Sequence, residues 1–564
     1  MRTGAGVVTS LIAGVRRICA GSLLLFAALI AVKIPAISLA GVRQAVGWSE
    51  PFALSPDNQS SWFPDIAADA AGRVHVAWST TLSTGVGQTY DVVMYASAQS
   101  GAAWSSPQDI AALPSKGAVT RPALLADDQG MLHLTYRSYT VFYSHAPVQS
   151  VVPAALLPAR PISSIDNGYF SRLAIDPKGR LHIVYTENIQ SPSCTGCFHV
   201  FYRQSDNKGL SWSPSVDISR LPTGAAKPQL VIDEANNLHV VWEAGVGGDL
   251  GQLSDQLPTQ VMITSSYDGG LSWSAPTALA ALGSAAPTHA AATSTLAITA
   301  TRGTPTTAPV TPAPTATAVP NSFKNIALSK DGQGKLVVAY LVLPEDRLYF
   351  QTSGDQGRSW SDPQPISGVW GGWAVYQSRT DDYAMVTDSA GGVQLVFVGR
   401  TAENDTMLSI LHVTWDGSSW GQPEAIVTLT GDVPEWPRAA IGLGNDLHVV
   451  WFVRDQAHIF GGEGASLYRI WYAHKLLPAP ALSAVIWPTV APTLVPSATQ
   501  ASVANPSLGP SLNLPPSQTS SPSPAAQSDL VYNETGYLKV VALGLVPALM
   551  ILCLVVAVVL ITRR

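Results

Sequence analysis

The chain has 564 residues, of which 46 % are hydrophobic and only 12 % charged, with a formal net charge of −6. Charge at about half the ~25 % of a soluble domain excludes a highly charged disordered protein, and the acidic balance leaves no basic footprint for nucleic acid. Four Cys exclude a disulfide-dense scaffold, while 16 Trp beside 46 Gly and 42 Pro point to a turn-rich β protein.

The N-terminus reads as an export signal over residues 1–40. Arg2, Arg16 and Arg17 supply a positive region, Ile18 to Val32 an apolar run, and Ser38-Leu39-Ala40 small residues for cleavage. An uncleaved anchor helix is the alternative, although Lys33 interrupts the run.

A repeat dominates residues 41–475. An alternating apolar strand ending in an aromatic recurs seven times: VHVAW (74–78), LHLTY (132–136), LHIVY (181–185), LHVVW (238–242), LVVAY (336–340), VQLVF (393–397) and LHVVW (447–451). The second residues lie 58, 49, 57, 98, 57 and 54 positions apart. The period is thus about 55, with one loop expanded by an Ala/Thr/Pro-rich insertion at about 280–322. Each copy follows another short apolar run, and several precede a third run, a polar turn and a Trp. Four short strands per repeat without helical periodicity predict an all-β propeller of four-stranded blades. Length suggests about four domains at ~150 residues each; the repeat replaces that count with one ring.

Residues 476–535 read as a stalk. Leu476 to Ser528 is 53 residues with no charge and 11 prolines, too poor in buriable surface to offset its ordering entropy. An anchor follows at 538–562, whose run Val540–Thr562 is 23 residues without a charge, enough to cross ~30 Å of hydrocarbon. Arg563 and Arg564 form a cytoplasmic tail, which places the propeller outside a single-pass cell membrane.

The polar turns carry the most specific signal. SYDGGLSW (266–273) and SGDQGRSW (353–360) fit S-x-D-x-G-x-[ST]-W, and SDNKGLSW (205–212) fits with Asn207 in the Asp place. SAQSGAAW (97–104) and TWDGSSW (414–420) are degenerate copies. This spacing resembles the Asp box, or bacterial neuraminidase repeat, of the sialidase superfamily. The resemblance implies a structural role for Ser205, Asn207, Gly209, Trp212, Ser266, Asp268, Gly270, Trp273, Ser353, Asp355, Gly357 and Trp360, in turns between the third and fourth strands, away from the ligand face. Seven units imply seven blades, with six as the alternative because sialidases proper have six. The last unit lacks a fourth strand, and GWSEPFAL (47–54) resembles the missing piece, so the N-terminal strand is expected to complete the last blade.

Five His share the second position of the repeat strand, but equivalent residues of adjacent blades sit about 10 Å apart against metal–imidazole bonds of ~2.1 Å, so no metal site is expected among them. No cofactor motif is present. Cys194 and Cys197 form C-x-x-C in an exported loop, where a local disulfide competes with zinc or redox chemistry.

Ligands are implied to bind where the loops from strand four to strand one meet those from strand two to three. VWGGWAVYQSRTDDY (369–383) is the richest such loop. Candidate ligand-binding residues are Trp370, Trp373, Arg121, Arg172, Arg438 and Trp436, because aromatic faces stack on sugars and Arg clamps carboxylates. Candidate catalytic residues are Tyr383, Asp382, Glu243, Arg379, Arg400 and Arg454, since a sialidase implies three Arg on the substrate carboxylate, a Tyr nucleophile activated by Glu, and an Asp acid/base. The first Arg belongs to an F-R-I-P motif, and the matching SWFPDI (61–66) has Trp62 in its place. The expectation is therefore a cell-surface binding module for glycans or wall polymers. An exo-acting glycosidase of sialidase type and a purely structural propeller are the alternatives, with oligomeric state left open.

Overall fold

The computed structural model describes residues 47–83, 89–111, 119–156, 158–163, 168–191, 194–220, 222–246, 257–281, 321–455 and 468–487. The signal at 1–40, nearly all of the insertion, the stalk beyond 487, the segment 538–562 and the tail lie outside them. Among the described residues no helix is long and apolar enough to cross a membrane.

Seven antiparallel sheets form the ring, six of four strands and one of five. Blade one runs from Ser60–Ala68 to Gln108–Ala111, and blade two from Thr120–Ala126 to Arg160–Pro161. Blades three, four and five begin with Gly168–Ile175, Gly224–Ile232 and Ser322–Lys330. Blade six splits its first strand into Trp370–Gly371 and Ala384–Thr387, both paired with Val393–Arg400. Blade seven orders Asp432–Gly442, Asp446–Asp455 and Arg469–Leu476, and its fourth strand is Phe52–Ala53 from the chain's start. A bridge between Trp48 and Lys475 extends this closure. Ring closure leaves no free edge between the first and last blades, as the GWSEPFAL segment leads one to expect.

The repeated strand is the second of each blade, and it builds the core. Its terminal aromatics Trp78, Tyr136, Tyr185, Trp242, Tyr340, Phe397 and Trp451 are all buried. Apolar clusters fill every interface between neighbouring blades, the seventh joining Ile66 and Trp78 of blade one to Val450 and Ile470 of blade seven. At roughly 1.5–3 kcal/mol per fully buried large apolar side chain, these interfaces supply the driving force.

The histidines of the repeat are structural. In blades one, two and three the turn into the second strand carries Asp69, Asp127 or Asp176, whose Oδ1 accepts backbone N–H bonds. The other oxygen faces Nε2 of His75, His133 or His182 at 3.3–3.6 Å. Nδ1 of each His is hydrogen-bonded at 2.7 Å to Tyr95, Tyr143 or Tyr202 of the third strand. Tyr143 and Tyr202 also donate their hydroxyls to the Lys208 carbonyl and to Gln204 Oε1, so each phenol is held on two sides. Blade four keeps Asp233 and His239 but substitutes Ser265 for the tyrosine.

The S-x-D-x-G-x-S-W turns lie between third and fourth strands and clamp the preceding blade. In one of them Ser266 donates to Asp268, whose Oδ1 accepts from the backbone N–H groups of Leu271 and Ser272. The turn brings Trp273 edge-on to Tyr202 at 4.9 Å. Trp212 meets Tyr143 at 5.1 Å, Trp420 meets Phe350 at 5.7 Å, and Trp104 meets Tyr472 at 4.9 Å across the ring closure. A Cβ on Gly209 would collide with Tyr143, and one on Gly270 with Tyr202.

Two features depart from the sequence reading. The chain does not leave the propeller at residue 476: Leu477 and Leu482 donate backbone N–H bonds to Asn445 and Leu443, and Val485 to Ala70. Trp487 then lies against Gly130. Residues 477–487 thus strap the turns of blades seven, one and two, because prolines that forbid regular structure still permit an extended segment with isolated N–H bonds. Cys194 and Cys197 lie not in a loop but within the strand Cys194–Ser205, as the hairpin pairing extends outward. Cys197 is disulfide-bonded; the side chain of Cys194 lies outside the described residues.

Two predictions follow from this packing. Gly270→Ala should cost more than ~3 kcal/mol, adding overpacking against Tyr202 to the strain of a φ of +92°. Gly101→Ala, at a φ of +75° with open space around it, should cost only about 1 kcal/mol, and Tyr202→Phe should partly rescue Gly270→Ala in urea unfolding. Burial pushes His182 and His448 down to about 4. The unfolded chain therefore binds more protons between pH ~6.5 and ~4, and stability should fall with acid by up to ~1.4 kcal/mol per pH unit for each. Calorimetric Tm measured across pH 7 to 4 checks this.

Candidate functional site

Each first strand enters the ring beside the central axis, and six of the seven kink there at a β-bulge. The kinked residues Phe63, Arg121, Phe170, Lys227, Asn325 and Trp436 all have φ between 43° and 57°. Pairing slips at these points, for example between Trp62 and Asp65, Tyr169 and Arg172, and Glu435 and Arg438. A bulge re-aims side chains, and a left-handed non-glycine residue costs roughly 1–3 kcal/mol, so these kinks are sustained by the packing around them. They send one ring of side chains toward the axis and place a second ring, Asp65, Arg172, Gln229 and Arg438, two residues on.

In the first ring Arg121 lies in an aromatic cage. Its guanidinium carbon is 4.2 Å from the centre of Phe63, 4.6 Å from Phe170 and 5.5 Å from Trp436, residues of blades one, three and seven. The ring quadrupoles hold the cation where water is scarce.

The second ring converges on Asp382, which is fully buried. Its Oδ2 accepts from Arg438 Nη2 at 2.8 Å, Arg172 Nη2 at 3.3 Å and Gln229 Nε2 at 3.4 Å. Arg438 also faces Asp65 at 3.7 Å, and Asp65 accepts from the Leu124 N–H at 2.7 Å. The chain thus supplies its own carboxylate to two arginines of the central set.

A third group joins blades four to seven. Glu243 accepts from the Asn325 N–H at 2.7 Å and faces Lys227 at 3.5 Å, while Lys227 donates to the Asp381 carbonyl at 2.5 Å. Lys324 donates to the Ser378 carbonyl at 2.6 Å and lies 4.4 Å from the centre of Trp373. Asp381 accepts from the Trp436 N–H at 2.9 Å and Asn325 Nδ2 at 3.2 Å. Burial, with the charge of Glu435 nearby, raises Asp381 to about 7 against the Trp436 N–H bond and the two lysines. Burial lowers Lys324 to about 7 as well, with Lys227 adding to the effect. A cavity of about 10 Å³, room for one water, adjoins Asp381, Trp373 and Tyr376.

The remaining sequence candidates are dispersed. Tyr383 is 1 % exposed and packs on Phe397 between blades five and six, where burial holds its hydroxyl well above its ordinary range. Arg400 ties the split first strand of blade six, bonding the Gly371 carbonyl at 2.9 Å and Asp346 at 2.6 Å. Arg379 is half-buried on the 372–383 loop, and Trp370 faces Arg347 at 5.2 Å. Arg454 pairs with Glu435, which also accepts from Ser378 and Thr380. The same guanidinium lies 5.7–5.8 Å from the rings of Tyr376, Phe452 and Tyr468. Trp62 meets Tyr468 edge-on at 6.3 Å, so half-buried Trp62, Tyr376 and Tyr468 form one aromatic cluster with the buried Phe452 at this arginine.

The structure therefore brings together Arg172, Arg438 and Asp382, with Arg121 and Trp436 above them. It does not bring Tyr383, Glu243, Arg400 and Arg454 to them. Sequence reasoning left out Asp65, Phe63, Phe170, Lys227, Lys324, Asn325 and Gln229. A usable signal was the X-Pro dipeptide at the start of the first strand, present as Phe63-Pro64, Arg121-Pro122, Lys227-Pro228 and Trp436-Pro437.

No family model and no curated protein matches the chain significantly. Among solved structures it is similar to a protein of unknown function from Dyadobacter fermentans, at 13 % identity and TM-score 0.42, covering 77 % of this chain and 99 % of that one. The BP39L lectin from Burkholderia pseudomallei aligns at 13 % identity and TM-score 0.45, covering 77 % and 99 %. The NanB sialidase from Streptococcus pneumoniae aligns at 10 % identity and TM-score 0.40, covering 79 % and 72 %. The propeller assignment rests on the strand pairing itself.

Asp382→Ala should destabilise the full chain by about 3–5 kcal/mol, because it leaves the buried Arg438 and the half-buried Arg172 facing each other without their carboxylate. Arg172→Lys, at the more exposed arginine, should cost less than half as much in the same denaturant titration.

Proposed function

We propose that this chain is a cell-surface propeller that binds carbohydrate and does not hydrolyse it. The observation that carries the reading is the Arg172–Asp382–Arg438 clamp. Carboxylate-binding arginines of a sialidase-type centre must be open to the substrate, and here two are engaged by a carboxylate of the chain. The buried Tyr383 supports the same conclusion, since a nucleophile needs access to its substrate and a base within reach.

The half-buried cluster of Trp62, Tyr376, Tyr468 and Arg454 suits sugar binding. Aromatic faces cover the apolar side of a pyranose, while Arg454, paired with Glu435, holds the rings around it. The S-x-D turns support a place beside sialidase-type propellers, and the apolar segments at 1–40 and 538–562 support export and anchoring. The strap at 477–487 lies on the face of the S-x-D turns, leaving the opposite, aromatic face for the ligand.

The full chain should bind oligosaccharides on a glycan array, with Tyr376→Ala and Trp62→Ala each weakening the best ligand at least about tenfold while Tm stays unchanged. A fluorogenic sialoside should not be turned over. Turnover abolished by Tyr383→Phe would sink the binding-only reading.

A further inference from the structure

Blade seven breaks the histidine pattern of the other blades in a specific way. Asp occupies the turn before the second strand in six blades, as Asp69, Asp127, Asp176, Asp233, Asp331 and Asp388. The same position in blade seven is Gly442, where a Cβ would come within 2.7 Å of His448 Nε2. The glycine thereby vacates the space beside that nitrogen. A carboxylate returns from the other side, four residues later, as Asp446.

Asp446 is buried and directs its two oxygens at two imidazoles. Oδ1 is 2.9 Å from His474 Nδ1, and Oδ2 is 3.5 Å from His448 Nε2. One ligand atom from each of the three residues lies within 4.8 Å of the others. Tetrahedral ligands at ~2.1 Å from an ion stand about 3.4 Å apart, within that spread. His448 Nε2 has no hydrogen-bond partner, whereas its Nδ1 is bonded to Tyr472 at 2.7 Å. Ser100 of blade one donates to Asp446 Oδ2 at 2.7 Å. A metal-binding imidazole anchored through its other nitrogen and a carboxylate held by a hydroxyl are the outer contacts such sites need.

We infer that Asp446, His448 and His474 form a site for a divalent transition metal of the zinc class, which staples the closure of the ring. Two imidazoles and one carboxylate suit zinc, with a water completing four ligands. His474 is also the residue whose backbone exchanges bonds with Ser49 of the N-terminal segment, at 2.9 Å in each direction. Metal held there ties the third strand of the last blade, the turn of its first hairpin and the N-terminal segment together. The expectation of no metal compared equivalent histidines across blades; these ligands come from within one blade, on adjacent strands in register as His448 and His474.

The full chain, stripped with a chelator and titrated with zinc chloride, should take up one equivalent, with Tm rising until that equivalent is bound. His474→Gln, at the partly exposed ligand, should weaken zinc at least about 100-fold without lowering the metal-free Tm. His145→Gln, at the corresponding position of blade two, should leave zinc binding unchanged. X-ray absorption of the loaded chain should show two nitrogens and one oxygen from protein at ~2.0–2.1 Å. Absence of stoichiometric binding, or wild-type affinity in His474→Gln, overturns the inference.

Discussion

The fit of each blade against the turn of the next is the contact on which this ring depends. A tyrosine of one third strand, held by its histidine, lies in the space left by the next blade's turn glycine, under that blade's Trp. The contact is steric and polar at once. The phenol must be fixed to meet the turn, and the Asp–His pair fixes it through the imidazole Nδ1. The recurring Ser and Asp of the turn act one step away, bonding backbone N–H groups so that the glycine and Trp present the right surface. Chemistry that looks catalytic in a list of residues is thereby consumed in assembly.

Because the outer turns lock the blades, the axial ends of the first strands are free to carry strain. Six left-handed kinks around the axis each cost free energy, and the apolar interfaces between blades offset them. The result is a centre crowded with paired charges: Arg172 and Arg438 on Asp382, Glu243 with Lys227, Glu435 with Arg454. Such buried pairs are individually poor sources of stability but expensive to break, so they fix which side chains reach the mouth. Under the proposed reading a ligand would stack on the half-buried rings of Tyr376 and Tyr468, leaving the Arg454–Glu435 pair in place.

Ring closure is handled separately. A single short strand, Phe52–Ala53, completes the last blade, and its neighbours Trp48 and Ser49 bond Lys475 and His474. So small a strand contributes few ladder bonds, and the same seam carries Trp104 against Tyr472 and Ser100 on Asp446 from the neighbouring blade. Reinforcement gathers where the covalent chain does not run through.

What the sequence determined by itself was the periodic part. Alternation with a terminal aromatic, seven times at about 55 residues, is enough to specify blades, because period-two burial and turn chemistry act over a few residues. The closing strand was legible for the same reason, since GWSEPFAL repeats a pattern seen in other blades. The site was not. Asp382 meets Arg172 and Arg438 across three blades and more than 200 residues of sequence in one direction, and Tyr383, its immediate neighbour, points into an apolar interface instead. Whether adjacent residues on a loop face the axis or the core depends on the kinks and on the ring that surrounds them. Only the tertiary structure decides that, because the distances between blades are set by packing and not by any local preference of the chain.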